Sequence, residues 1–93
     1  MLDEPLGEAD VRGFLRSALD GGVLRFSGHA YEEMENDGLV EQDVRNCLWA
    51  GQFDGCDFVR GSWRYRMRTD LIVAVVAFRC KIEVVVVTAW RDR

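Results

Sequence analysis

The order of apolar and polar positions changes period along the chain, and each change marks an element. Val11, Phe14, Leu15, Ala18 and Leu19 recur at i, i+3, i+4, i+7 and i+8, the single stripe of an amphipathic helix over residues 8–20. Gly21 and Gly22 follow, supplying the positive φ with which helices commonly end. Residues 23–26 are short and β-prone and predict a first strand. Ser27 suits a helix N-cap, and a helix over residues 29–36 places Ala30, Tyr31 and Met34 on one side with Glu32, Glu33 and Glu35 turned to water. Gly38 ends it. Val40, Val44, Cys47 and Leu48 form a third stripe over residues 41–50, with acids in the first turn and Gly51 at the close.

From there the period shortens to two. Residues 52–59 predict an interrupted strand, because Phe53 and Phe58 alternate poorly across Asp54 and Gly55. Arg60 and Gly61 form the turn into residues 62–69, which alternate strictly. Trp63, Tyr65 and Met67 share one face, and Arg64, Arg66 and Arg68 share the other at a spacing of roughly 7 Å. Residues 71–79 and 82–91 predict two long strands joined through Cys80 and Lys81, a link short enough to require an antiparallel hairpin. Both faces of that hairpin are apolar: Leu71, Val73, Val75 and Ala77 on one, Ile72, Ala74, Val76 and Phe78 on the other. Helices can cover one face; the other calls for the N-terminal helix, a second copy or another protein.

A chain of 93 residues makes one domain with a modest core, and 48% apolar with 30% charged residues is the balance of a folded domain. Within 1–93, residues 1–7 read as a loose lead-in and 8–22 as a helix added ahead of a core over 23–91. The net charge of −4 hides an asymmetry: residues 1–58 sum to −9 and residues 59–93 to +5. Such a split can focus an anion on one surface, or it can be acidic solvated helices beside a basic sheet edge. The apolar runs are shorter than the ~20 residues that span a bilayer, and the acidic N-terminus is unlike a signal peptide. Cys47, Cys56 and Cys80 have neither zinc-ligand nor disulfide-framework spacing, so a reducing cytoplasm is expected, with no metal and no cofactor.

The stretch from Phe26 to Arg91 resembles a family of small bacterial domains known as domain of unknown function four-two-five-eight. The resemblance is carried by His29-Ala30, Met34, Gly38-Leu39, Glu41-Gln42-Asp43-Val44, Gly51 and the terminal Val85-Val86-Val87-Thr88-Ala89-Trp90-Arg91. Its members look like the compact RelE-like and MqsR-like ribonuclease toxins of toxin–antitoxin systems. That implies an α+β fold of three short helices on one antiparallel sheet of four to five strands, whose other side handles RNA. The chain departs from the pattern at Glu33 and Asp37, where the family usually carries arginines, and at Val40, where it usually carries a Ser or Thr cap.

Metal-free RNA cleavage needs a base for the 2′-hydroxyl, an acid for the leaving oxygen and cations around the phosphate. His29, the only histidine, is the candidate base, and Arg66 the catalytic cation. Arg64, Arg68, Arg79, Lys81 and Arg91 are the candidate RNA contacts, since guanidinium groups bond phosphate oxygens in pairs and stay charged. Each also has a plainer reading, as a structural hydrogen bond for His29 and as solvated or ion-paired charges for the rest. Trp63 and Tyr65 are core residues by alternation, and the acids of the second helix are a solvated face. No phosphate loop, nucleophile elbow, zinc-protease pair or dinucleotide fingerprint occurs. The expected function is a toxin-like, metal-independent endoribonuclease domain. The alternative is a non-catalytic interaction domain that docks an antitoxin-like protein or a second copy through the C-terminal hairpin.

Overall fold

The computed structural model describes residues 2–92. The elements are α1 (Glu8–Leu19), β1 (Val23–Phe26), α2 (Gly28–Asn36), α3 (Glu41–Ala50), β2 (Gln52–Val59), β3 (Ser62–Arg68), β4 (Ile72–Cys80) and β5 (Glu83–Arg91). They fall where periodicity placed them, within a residue or two at each end. Val11, Leu15 and Ala18 are the buried stripe of α1, Ala30 and Met34 that of α2, and Val44, Cys47 and Leu48 that of α3. Ser27 caps α2 as expected: its Oγ accepts from the Ala30 N–H at 3.0 Å and donates to the Val87 carbonyl at 2.8 Å. Val40 caps nothing with its side chain, and the Asp43 carboxylate accepts the Val40 N–H at 2.9 Å in compensation. After α1, Gly21 takes φ +94°, and a Cβ on Gly22 would fall 2.5 Å from the Ile82 carbonyl oxygen. The glycine pair thus serves a left-handed turn and a close approach in succession.

The strands form one sheet in the order β1-β5-β4-β3-β2. Four strands are an antiparallel meander, and β1 lies parallel to β5 at the edge. The α+β class stands, but the sheet is mixed, which corrects the expectation of a wholly antiparallel one. The parallel edge is possible because helices α2 and α3 and three strands separate β1 from β5, ample chain for a crossover that a hairpin does not allow.

Cross-strand register assigns the two faces. Tyr65 stands opposite Val76, which stands opposite Val86, and Met67 stands opposite Ala74, which stands opposite Ala89. All six are buried and join residues of the three helices in one core cluster. Arg66, Val75 and Thr88 form the matching row on the reverse side, as do Arg68, Val73 and Trp90. Val87 is left without a partner by a register shift. Uninterrupted alternation from Val84 and Val86 would send Thr88 into the core; the bulge sends Ala89 instead, which spares a hydroxyl from burial.

The lead-in is not loose. Leu6 is buried in the core, and Tyr65 Oη accepts the Leu6 N–H at 3.0 Å while donating to the Glu4 carboxylate at 2.8 Å. A fully buried phenol needs hydrogen-bond partners, and the first residues supply them. Burial pushes the Tyr65 phenol well above its ordinary value. The Cys47 thiol, which points at the carbonyls of Met67 and Ile72, is raised to about 11 by the same cause and stays protonated. Cys56 and Cys80 are also free thiols.

Candidate functional site

The open sheet face, with all three helices on the reverse side, holds the arginine row. Because Tyr65 and Met67 enter the core, the pleat turns Arg64, Arg66 and Arg68 outward together, as their alternation requires. Arg79 follows Val73, Val75 and Ala77 on the same side of β4. Arg66 lies opposite Val75, so Arg64 comes beside Ala77 and Arg79 is its diagonal neighbour.

The row is not electrically uniform. Arg66 is ion-paired through Nη1 to Asp57, and its Nε lies 3.7 Å from Asp54. Arg68 reaches Asp54 at 3.5 Å and is bonded to Asp92. Three carboxylates therefore face these two cations. Arg64 differs: its Nε is buried without a hydrogen-bond partner, and no carboxylate pairs with it among the described residues. Asp57 stands directly opposite Arg64 in register but bonds the diagonal Arg66 instead.

Asp54 follows Phe53, which pairs with the buried Met67, so alternation turns it to the open face just ahead of an irregularity in β2. Register is broken between Phe53 and Cys56, and Gly55 sits at φ +93° with its missing Cβ 3.0 Å from Arg66 Nη2. Glycine takes this left-handed turn without strain, and its lack of a Cβ eases the approach of backbone to guanidinium. The interrupted strand was expected; that Asp54 beside the interruption would reach two of the arginines was not.

The β2–β3 and β4–β5 turns lie at one end of the sheet, because β3 and β4 are antiparallel neighbours. Arg60 occupies the first turn at φ +51°, and Lys81 the second, beside Arg79. Arg60, Arg64, Arg79 and Lys81 thus share that end, none with an ion-pair partner among the described residues. The basic C-terminal half concentrates its uncompensated charge there.

The remaining candidates lie elsewhere. His29 is exposed in the first turn of α2, whose Ala30 and Met34 pack into the core, so it belongs to the helical layer while Arg66 belongs to the opposite face. With β5 and β4 also between α2 and β3, the two do not share a site. Arg91 is tied to the end of α2: its backbone N–H donates to the Asp37 carboxylate at 2.7 Å and its Nε to the Asp37 carbonyl at 3.2 Å. Asp37 thereby anchors α2 to β5. The sequence reading missed Arg60 and the three aspartates; the only local signal was the Asp54-Gly55 break.

Several clefts open on the surface, one of about 330 Å³ at the turn end between Leu2, Arg79, Cys80, Lys81 and Ile82. One of about 400 Å³ lies between Arg16, Asp20, Trp49 and Ile82, with the Arg16 guanidinium 5.5 Å from the Trp49 ring centre, and one of about 260 Å³ opens at Arg68, Thr69 and Asp70. Among the described residues no group of three His, Cys, Asp or Glu side chains could hold a metal ion. No described helix is long and apolar enough to cross a membrane.

Fold and site together define a small α+β domain with one helical layer and one open, arginine-bearing sheet face. Residues 26–91 match the model of a family described as a domain of unknown function, DUF4258, and the chain belongs to that family. No curated protein and no solved structure matches it.

Proposed function

We propose that this domain is an RNA-contacting relative of toxin-like ribonucleases, holding phosphodiester groups at the turn end of its open sheet face without cleaving them through a His29–Arg66 couple. The observation that carries this reading is the cluster of Arg60, Arg64, Arg79 and Lys81, four cations with no carboxylate partner among the described residues. The separation of His29 from the row speaks against a cleaving site, since a base must come within hydrogen-bond reach of the proton it removes.

Fluorescence anisotropy with a labelled single-stranded RNA tests this. Arg64→Gln with Lys81→Gln should weaken binding about tenfold at low salt, since each lost phosphate contact removes about 0.7 from the salt slope. Arg91→Gln should leave it unchanged. Absent binding, or equal losses in both variants, sinks the reading. Incubation with RNA and EDTA should give no cleavage; cleavage that disappears in His29→Ala would overturn the non-catalytic part.

The hairpin favours a second reading, self-association. Val75, Ala77, Val85, Val87 and Trp90 are half-buried on the open face, and some charges beside them are paired within the chain, Arg25 with Glu83 and Arg66 with Asp57. A second copy approaching sheet to sheet in the opposite orientation keeps the two cationic turn ends apart, and the acidic helical layers as well. Light scattering across a concentration series checks it; a monomer at every concentration removes it.

A further inference from the structure

We infer that Asp54 and Asp57 occupy, from within the chain, the place a phosphate would take on Arg66, so that the middle of the arginine row is a second, masked phosphodiester site. This rests on the RNA-contacting reading above and concerns a different part of the same face. A guanidinium offers a fork of donors that accepts a carboxylate or a phosphate alike. On Arg66 that fork is taken by Asp57 at Nη1, with Asp54 near Nε, and Asp54 also lies 3.5 Å from Arg68 Nη1. One carboxylate spans two neighbouring cations, as a bound phosphate would.

The mask is built into the strand. Phe53 pairs with the buried Met67, so alternation turns Asp54 to the arginine side, and Gly55 then brings the backbone against Arg66 at a φ other residues avoid. The carboxylates are nevertheless open to water, Asp54 being 42% and Asp57 60% exposed, so they hold the arginines weakly enough to exchange. Arg64, Arg66 and Arg68 against Asp54, Asp57 and Asp92 leave the row without net charge. Removing two of the acids leaves +2 on a sheet face that none of the three helices covers.

The test is a gain of function. Asp54→Asn with Asp57→Asn keeps shape and removes the charge, and it should tighten binding of a labelled single-stranded RNA about tenfold at low salt. The log–log salt dependence should steepen by about 1.4, two contacts at about 0.7 each. Adding Arg66→Ala, which leaves the row at +1, should remove at least half of each change. Glu32→Gln with Glu35→Gln changes net charge equally on the exposed side of α2 and should do neither. If the doubly amidated hairpin melts early, Asp57→Asn alone should give about half the logarithmic gain. Binding by the unaltered chain with no gain in the Asp variants overturns this inference and leaves the turn-end reading intact. Gain in the variants with no binding by the unaltered chain supports the mask and overturns the turn-end reading. A gain as large in the Glu pair, or one that Arg66→Ala reduces by less than half, overturns the mask. Absence of binding throughout overturns both.

Discussion

The two sides of β3 are one residue apart in sequence and belong to different chemical worlds. Tyr65 and Met67 are fully buried, with Tyr65 hydrogen-bonded to Glu4 and Leu6. Arg66 and Arg68 have side chains 32% and 39% exposed and are held by carboxylates that water also reaches. The pleat alone makes this division. What it teaches is that the same strand carries stability on one side and recognition on the other, so substitutions at adjacent positions should fail in different assays.

The largest effect is expected on the covered side. Met67→Ala removes a fully buried side chain from the core and should cost about 2–5 kcal/mol in urea unfolding, with no change in RNA affinity for the molecules that remain folded. A loss under 1 kcal/mol would mean that this face is not the core. Next comes the pH dependence of the same side. The Cys47 thiol is raised from 9.0 to about 11 in the folded chain, so the unfolded chain releases its proton first. Stability from this group is full below pH 9 and falls as pH rises through 11, by roughly 2–3 kcal/mol. Cys47→Ala should flatten that decline, which equilibrium melts between pH 8 and 11 would register.

Tyr65→Phe should cost about 1–2 kcal/mol, because it leaves the Leu6 N–H without its partner while keeping the ring. It should also speed proteolysis near the N-terminus. The smallest stability effect belongs to the open side. Arg66→Ala breaks exposed ion pairs and should shift stability by under about 1 kcal/mol. Arg64→Ala should be similarly mild in melting, yet reduce RNA affinity several-fold, since Arg64 has no carboxylate partner among the described residues. Equal binding losses at Arg64 and Arg66 would erase the distinction between the open end and the masked middle of the row.

Self-association and RNA contact compete for neighbouring parts of one face, the first for the apolar strip of β4 and β5, the second for the turn end. Added RNA should therefore shift any dimer toward monomer if the two overlap.

Read along the chain, local period was enough to place three helices, five strands and the outward row of arginines, because a stripe or an alternation depends only on residues a few positions apart. It was enough, too, for the Ser27 cap and the break at Asp54 and Gly55. Position in the sequence held no information on which strand would lie beside β1, where Val87 would bulge, or that residues 4 to 6 would close over Tyr65. The functional consequence was hidden for the same reason: His29 and Arg66 came apart, and Asp54, Asp57 and Asp92 came onto the arginines, only when distant segments paired. Periodicity is written in neighbours, whereas the charge balance of a sheet face is set by partners that folding alone brings together.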